Sequence, residues 1–225
     1  DELTTTGPSK VVEMKNGKFS EFDITPEQRR DARRAYFAMV THLDELIGGL
    51  VETLESIGEL DNTYIFVTSD HGEMLGERGL WLKKTFFEPA RKVPLIFHAP
   101  QRFAPKREST HCSLLDLLPT FASLDSDGAW QPIEPLDGSD LTALDPGEDR
   151  PVYAELLCEG ILAPIFMIRR GRYKLVITEG DPPMLTDIEA DPDERTNLAD
   201  DPTHAAQLRT LTAEAAAKWD SNALS

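Results

Sequence analysis

The sequence predicts an α/β fold, a sheet with flanking helices, followed by a small C-terminal antiparallel α+β subdomain. A long amphipathic pattern over residues 25–57 predicts a helix, and a β-branched and aromatic run over residues 63–68 predicts a strand directly after it. A helix, a short turn and a buried strand together form an α/β unit. Short strand-like segments over residues 152–177 then predict an antiparallel meander.

The predicted long helix has a clear beginning. Thr25 is the expected N-cap, Pro26 fits the first helical position, and Gln28 closes a capping box. Apolar residues then recur at steps of three and four, which places one wide stripe toward a core, and Gly58 ends the helix. The stripe consists of Ala32, Ala35, Tyr36, Met39, Val40, Leu43, Leu46, Ile47, Leu50, Val51, Leu54 and Ile57.

The strand over residues 63–68 leads into the turn Ser69-Asp70-His71-Gly72. Its unbroken apolar character predicts burial on both faces, as in parallel sheets. Ligands of α/β sheets gather beyond the carboxyl ends of strands, where Asp70 and His71 would lie. The carboxylate suits Ca²⁺, Mg²⁺ or Mn²⁺ and the imidazole suits Mn²⁺ or Zn²⁺. The alternative is an Asx turn with His71 on the surface, and spacing alone does not choose between them.

Three segments are expected along the chain: a loop or edge segment over residues 1–24, the α/β domain over 25–150, and the antiparallel subdomain with a closing helix over 151–225. Within them, residues 73–91 are irregular, which is typical of a functional segment. The remaining expected elements are a strand at 93–97, a helix at 113–124 kinked by Pro119, a surface connection at 125–150, strands at 152–157, 165–169 and 173–177, a loop at 187–201 and a helix at 204–219.

Charge and composition exclude several classes of function. The formal net charge of −17, with 40 acidic against 23 basic residues, would repel the phosphates of nucleic acids. No apolar run approaches the roughly 20 residues that span a bilayer, so membrane insertion is not expected. Cys112 and Cys158 form no disulfide framework, and their apolar neighbours predict buried, reduced thiols, which favour a cytoplasmic location.

Further candidates for chemistry lie after the turn. Lys83 and Lys84 could neutralise an anionic ester and the charge that develops in its transition state, although a solvated lysine pair is the alternative. Glu155 and Glu159 flank the end of a predicted strand. Either carboxylate could hold a cationic ligand, while solvation or a salt bridge is the alternative.

These residues resemble a known family. Residues 68–77, Lys83, residues 87–88 and residues 93–95 are similar to the C-terminal half of a sulfatase of the alkaline-phosphatase superfamily, and residues 171–175 and 185–198 resemble the strand and turn near the end of these enzymes. The choline-sulfatase branch is the most similar, through residues 79–81, 181–183 and 218–220. The resemblance covers nearly the whole chain from Thr25 onward.

The resemblance implies an alkaline-phosphatase/sulfatase-like sheet and hydrolysis of a sulfate monoester. It makes Asp70 and His71 ligands of one divalent ion, usually assigned as Ca²⁺, with Mn²⁺ and Mg²⁺ as alternatives. It makes Lys83 the catalytic lysine that contacts the sulfate, and Glu159 a carboxylate that helps to hold a quaternary ammonium. The expected partner is a small-molecule sulfate ester such as choline sulfate, and a homo-oligomer is expected because related enzymes commonly form one.

One part of the family pattern is missing. The nucleophile of these enzymes is a formylglycine made from the cysteine of a Cys-x-Pro-x-Arg motif, and neither Cys112 nor Cys158 lies in such a motif. The chain therefore resembles the C-terminal portion of a sulfatase and is expected to be inactive by itself. The alternatives are a phosphonate or phosphate ester hydrolase of the same superfamily, and a non-catalytic fragment that binds a metal or a partner.

Overall fold

The computed structural model describes residues 9–15, 18–126, 131–157 and 163–219, with side chains from residue 24 onward except at residue 126. The chain forms two compact units, Asp1–Pro105 and Lys106–Ser225. The domain boundary expected at residue 150 stays a prediction, and the segment that precedes residue 150 is bonded within the second unit. Asp116, for example, accepts two hydrogen bonds from Arg150.

The first unit contains one long helix and three small two-stranded sheets, each antiparallel. The strand pairs are β1 with β2, β3 with β6, and β4 with β5. Its elements are β1 (Ser9–Lys15), β2 (Lys18–Ile24), α1 (Pro26–Ser56), β3 (Ile65–Thr68), β4 (Met74–Leu75), β5 (Trp81–Leu82), α2 (Glu88–Arg91) and β6 (Leu95–His98), with short 3₁₀ turns at Leu60–Asn62 and Glu77–Gly79.

The beginning of α1 matches its prediction. The Thr25 hydroxyl accepts a hydrogen bond from the Gln28 backbone N–H at 3.2 Å, and the Gln28 side chain accepts one from the Thr25 N–H at 3.0 Å. Pro26 occupies the first turn, where its missing N–H costs nothing. After the helix, Gly58 adopts φ +76°, a left-handed conformation that glycine accepts readily.

The predicted burial of the α1 stripe is wrong within the described structure. No residue of α1 is buried, and Met39, Leu46 and Leu50 are 63%, 58% and 56% exposed. The reason is one of size. A helix of 31 residues is about 46 Å long, whereas strands of four residues such as β3 and β6 extend over about 13 Å. The small sheets of this unit are too short to cover the stripe.

Strand β3 forms as predicted, but its surroundings differ from the prediction. It pairs antiparallel with β6, with Ile65 opposite His98 and Thr68 opposite Leu95, and it is half-buried and not fully buried. The connection between the two strands doubles back on itself, because the Gly72 N–H donates to the Ala90 carbonyl at 2.7 Å. A parallel pair would need a crossover connection, usually a helix, which this segment does not make.

The second unit is built on a four-stranded antiparallel sheet in the order β10-β9-β8-β7. Its elements are α3 (Leu117–Ser126), preceded by a 3₁₀ turn at Leu114–Asp116, β7 (Val152–Leu156), β8 (Ile165–Arg170), β9 (Tyr173–Thr178), β10 (Met184–Asp187) and α4 (Ala205–Lys218), preceded by a 3₁₀ turn at Pro202–His204. The meander and the closing helix were predicted, whereas β10 was not. The buried core joins the sheet to α4 through Ile168, Leu175, Leu185, Leu211 and Ala215.

Cys112 is exposed, contrary to its predicted burial. The apolar neighbours that suggested burial, Leu114 and Leu115, are themselves 38% and 55% exposed. Partial desolvation and the nearby Asp116 carboxylate raise the pKa of the Cys112 thiol. Cys158 lies outside the described residues. None of the helices in the described part of the chain has the length and hydropathy that a membrane span requires.

Candidate active site

The structure brings three of the four predicted site residues together just beyond β3. Lys83 Nζ lies 2.7 Å from His71 Nε2, and Asp70 Oδ2 lies 3.3 Å from the same nitrogen. Asp70 and His71 leave the end of β3, whereas Lys83 follows β5 directly. The fourth predicted residue, Glu159, lies outside the described residues.

The hydrogen bonds of His71 define its neutral tautomer. Its Nδ1 lies 2.8 Å from the Gly72 carbonyl oxygen, which can only accept, so Nδ1 carries the proton. In the neutral ring Nε2 then has a free lone pair, which accepts a hydrogen bond from the Lys83 ammonium. A lone pair on one ring nitrogen, oriented by a bond at the other, is the usual arrangement of a metal-binding histidine.

Asp70 presents an ionised carboxylate to solvent. Its side chain is 80% exposed, and Oδ1 accepts hydrogen bonds from the His71 N–H at 3.0 Å and the Ser69 hydroxyl at 3.3 Å. Partial desolvation acts to raise the pKa of Asp70, but the electrostatic influence of the neighbouring imidazole and these hydrogen bonds outweigh it, so the pKa of Asp70 is lowered. His71 is 32% exposed and is bonded at both ring nitrogens, and its role as a metal ligand stays a prediction.

Gly72 allows two chain segments to meet behind the site. A Cβ atom at this position would lie 2.0 Å from the Pro89 carbonyl oxygen, far inside van der Waals contact. The Gly72 and Glu73 N–H groups donate to the carbonyls of Ala90 and Pro89 at 2.7 and 2.8 Å. The absent side chain therefore lets the segment that carries Asp70 and His71 bond directly to α2.

The β4–β5 hairpin places Lys83 next to His71. Met74 lies opposite Leu82 and Leu75 lies opposite Trp81, so the hairpin returns the chain toward the turn after β3. Leu82 has φ +68°, a left-handed conformation that costs a non-glycine residue about 1–3 kcal/mol. This bend comes immediately before Lys83.

Two residues that the sequence analysis did not single out contact this hairpin. Arg33 of α1 donates through Nε to the Leu75 carbonyl at 2.8 Å, and its Nη2 pairs with Glu77 Oε1 at 3.0 Å. Glu77 lies within the segment similar to sulfatases, whereas Arg33 is one of several arginines on a helix. No local signal marked Arg33, because its contacts are 42 and 44 residues away in the chain.

The donor atoms at this turn are of types that bind divalent ions, but they are too few to complete the coordination of such an ion. Asp70 offers carboxylate oxygens and His71 an imidazole nitrogen, both common metal ligands. No cluster of three or more His, Cys, Asp or Glu side chains suited to a metal occurs in the described ranges. Because Ca²⁺ takes 6–8 ligands, the remaining ones would have to come from other groups.

Comparisons with known proteins assign the chain to a family. A sequence profile described as "Sulfatase" matches residues 11–125, and one described as "N-sulphoglucosamine sulphohydrolase, C-terminal" matches residues 76–219. The chain belongs to the sulfatase family. The first match covers the turn with Asp70 and His71 and also Lys83.

Relatives with known names agree with this assignment. The choline-sulfatase of Rhizobium meliloti is 44% identical over 211 residues, which cover 91% of this chain and 41% of the relative. The arylsulfatase K of Gallus gallus is 33% identical over 79% of this chain and 35% of the relative. The sulfatase chain described here thus spans less than half the length of these relatives. The predicted resemblance to sulfatases, and to choline-sulfatase in particular, is confirmed.

A solved structure confirms the fold class. The phosphonate monoester hydrolase of Silicibacter pomeroyi aligns with a TM-score of 0.72 at 33% identity, covering 86% of this chain and 42% of that chain. The predicted sulfatase-like α/β fold with a small C-terminal antiparallel sheet is therefore correct. The antiparallel pairing of β3 with β6 is a local departure from the prediction within that fold.

Proposed function

We propose that this sulfatase chain is the part of a sulfuric ester hydrolase that supplies two metal ligands and a sulfate-binding lysine. One observation carries the proposal: Lys83 Nζ and Asp70 Oδ2 lie 2.7 and 3.3 Å from the same atom, His71 Nε2. A cation, a carboxylate and a metal-binding imidazole thus meet within hydrogen-bond distance beside a strand end. Membership of the sulfatase family supports this assignment of roles.

Asp70 and His71 would hold a divalent ion. Ca²⁺ is the proposed ion because a carboxylate is a hard oxygen donor, and Mn²⁺ and Mg²⁺ are the alternatives. Such an ion, when bound, supplies a Lewis acid that polarises oxygens of the ester. The chain prepares His71 for this role by fixing the proton on Nδ1 through the Gly72 carbonyl.

Lys83 would bind the sulfate group of the substrate. Its ammonium carries three donors and a full positive charge, which suits the oxygens of a sulfate ester and the charge that grows on them during hydrolysis. Because Lys83 already contacts His71, a sulfate bound to the lysine would lie beside the ligands of the ion. Lys84 is the neighbouring lysine and is exposed.

The nucleophile is not among the residues of this chain. Cys112 is followed by Ser113, Leu114 and Leu115, which does not fit the Cys-x-Pro-x-Arg motif, and its raised pKa makes it a poor thiolate. Cys158 does not fit the motif either. We therefore expect the isolated chain not to hydrolyse sulfate esters.

We propose choline sulfate as the substrate, with Glu159 as a counter-charge for its quaternary ammonium. The identity of 44% to a choline-sulfatase supports this choice. A permanent cation requires a carboxylate or aromatic faces and cannot donate hydrogen bonds. A cytoplasmic location is part of the proposal and depends on the two cysteines that form no disulfide framework.

A chimera tests the proposal. The segment of the Rhizobium meliloti choline-sulfatase that this chain matches is replaced by this chain, and sulfate release from choline sulfate is measured with Ca²⁺, Mn²⁺, Mg²⁺ or EDTA. The chimera should release sulfate only with a divalent ion. Lys83→Ala and Asp70→Asn should each lower kcat/KM by about 10²-fold or more, the usual effect of removing one group that stabilises the transition state.

Lys84→Ala is the matched control, because it removes the same charge one position away and should leave kcat/KM within about threefold. A chimera whose activity survives Lys83→Ala would contradict the role of Lys83. A folded chimera with no activity toward any sulfate or phosphonate ester would leave the chain as a non-catalytic binding module.

Hydrolysis of a phosphonate or phosphate ester is the second candidate, and the fold similarity to a phosphonate monoester hydrolase favours it. The residues described here would act in the same way on either ester, since both present anionic oxygens to a cation and a lysine. The chimera distinguishes the two when it is offered a phosphonate monoester in parallel. A kcat/KM higher for the phosphonate than for choline sulfate would favour this second candidate.

A further inference from the structure

We infer that Arg33 and Glu77 are positioning residues that hold Lys83 against His71. The inference rests on the proposed function, because it concerns how the same site is assembled. In the described structure, neither side chain forms a hydrogen bond or an ion pair with His71 or Lys83. Their influence passes through the backbone N–H and carbonyl of one residue, Leu75, in the hairpin between the two site residues.

Arg33 and Glu77 enclose the backbone of Leu75 in a ring of hydrogen bonds. Arg33 Nε donates to the Leu75 carbonyl at 2.8 Å, and the Leu75 N–H donates to Glu77 Oε2 at 2.6 Å. The ring closes through Arg33 Nη2 and Glu77 Oε1 at 3.0 Å. Both backbone polar groups of Leu75, which belong to two successive peptide groups, are thereby tied to a single ion pair, and the hairpin is anchored to α1.

Leu75 is well placed to transmit this anchoring. It lies on β4, four residues after His71, and its partner Trp81 lies on β5, two residues before Lys83. The segment that joins His71 to Lys83 therefore passes through the anchored residue Leu75 and returns opposite it at Trp81. A shift of β4 relative to α1 would change the distance between Lys83 Nζ and His71 Nε2.

The hairpin needs such an anchor because two of its residues adopt unfavourable conformations. Arg78 and Leu82 have φ +55° and +68°, and neither is a glycine. Conformations of this kind persist only where the surroundings enforce them. Gly76, with φ +95°, brings the turn so close to α1 that a Cβ atom would lie 2.8 Å from Arg29 Cδ.

The chemistry of the pair requires an arginine at position 33. The guanidinium presents Nε and Nη2 in fixed, diverging directions, so one side chain reaches both the Leu75 carbonyl and Glu77. A lysine has one ammonium and no such fork. The side chains of Arg33 and Glu77 are only 34% and 22% exposed, which shields their pairing from solvent. The neighbouring pair Arg34–Asp31 is 77% and 63% exposed and lies within α1.

The test follows the ring nitrogens of His71 by ¹⁵N NMR in the full chain, with all variants compared at the same pH. Lys83→Met first defines the Nε2 shift that results from losing the lysine bond, and His71→Gln assigns the signal. Arg33→Lys and Glu77→Gln should each move Nε2 at least halfway toward the Lys83→Met value. Arg34→Lys, the matched control, should leave the signal at its original position.

A purely structural role would give a different result, because lower stability alone does not move the resonance of the folded state. Urea unfolding of the same variants records that stability separately. An Nε2 shift unchanged in both Arg33→Lys and Glu77→Gln would overturn the inference, as would an unchanged shift in Lys83→Met itself. If Arg33→Lys does not fold, the Nε2 shift of the nearly isosteric Glu77→Gln variant alone tests the inference. Sulfate hydrolysis is not used, so failure here is distinct from failure of the proposed function.

Discussion

Lys83 and His71 share one hydrogen bond, 2.7 Å from Nζ to Nε2, and it occupies the lone pair that a metal ion at His71 would need. The lysine also places a positive charge beside that position. Two like unit charges about 4 Å apart repel by roughly 1–4 kcal/mol between bulk water and a protein surface, and the double charge of the ion doubles this repulsion. Metal binding to the isolated chain must therefore displace Lys83 and overcome this repulsion.

We expect Lys83→Met to bind Mn²⁺ at least about fivefold more tightly than the original chain, which corresponds to roughly 1 kcal/mol. Titration followed by the loss of the free Mn²⁺ electron paramagnetic resonance signal measures this affinity. Lys84→Met removes a charge at the next position and should have a smaller effect. Equal or weaker binding by Lys83→Met would mean that the lysine does not compete with the ion.

Gly72→Ala should destabilise the chain, because its Cβ atom would lie 2.0 Å from the Pro89 carbonyl oxygen. Relieving such overlap requires a backbone shift, and overpacking of this kind costs about 1–3 kcal/mol. Urea unfolding should therefore show a lower midpoint, and the 2.7 Å bond from Gly72 N–H to Ala90 should lose its protection against hydrogen exchange.

Gly48→Ala is the control for the same chemical change. Nothing lies within 4 Å of the added Cβ, and the position is inside α1, where alanine is favoured over glycine by about 1 kcal/mol. This variant should raise the stability. Destabilisation of equal size in both variants would show that the close contact at Gly72 is not the cause.

Arg150→Met should leave a buried charge without its partner. Arg150 donates two hydrogen bonds to Asp116 at 2.8 and 2.9 Å, and the Asp116 side chain is fully buried. Removing one partner of a buried ion pair costs about 3–5 kcal/mol. The unfolding free energy in urea should fall by this amount, reduced to the extent that the N–H groups of Ser113 and Ser139 still hold the carboxylate.

The exposed pair Lys106–Glu108, at 66% and 37% exposure, serves for comparison. Lys106→Met should change the unfolding free energy by less than about 1 kcal/mol, because exposed ion pairs are weak. If the two substitutions cost the same, the burial of Asp116 would not be the deciding factor.

Tyr153 should make the second unit sensitive to alkaline pH. Desolvation and the hydrogen bond to Glu214 raise the pKa of Tyr153 to about 12 from an ordinary value of 10.0. The unfolded chain therefore loses this proton first as the pH rises. The stability that Tyr153 contributes is complete below pH 10 and is lost as the pH rises through 12.

Tyr153→Phe should lower stability at neutral pH, because it removes the hydrogen bond, and should flatten the decline between pH 10 and 12. Glu214→Gln should also flatten this decline, since it removes a charge that raises the tyrosine pKa. Urea midpoints measured across this pH range test both expectations. Parallel declines in the original chain and Tyr153→Phe would exclude Tyr153 as the source.

The elements that sequence analysis predicted well depend on neighbouring residues. The capping box of Thr25 and Gln28 spans four positions, and Asp70 and His71 are adjacent, so local patterns were sufficient. The contact between Lys83 and His71 is closed by a hairpin with unusual backbone angles, and the bonds of Arg33 reach across more than forty residues. Such contacts depend on tertiary geometry, which periodicity and spacing do not encode.

The antiparallel partner of β3 was missed for a related reason. An apolar run predicts burial but carries no information about the direction of its neighbour. That direction comes from the doubled-back connection held by Gly72 and Ala90. The apolar stripe of α1 shows the opposite limit. Its periodicity predicted the helix correctly, but the helix sequence does not determine which other elements pack over its apolar face.

The uncovered stripe of α1 has a calorimetric consequence. Apolar surface that is already hydrated in the folded state adds nothing to the heat-capacity change of unfolding, which averages about 12–15 cal/mol/K per residue in globular proteins. The 31 residues of α1 contain no buried side chain, so this chain should fall below that average in scanning calorimetry. A smaller heat-capacity change flattens the dependence of stability on temperature, and the temperature of cold denaturation should therefore be lowered.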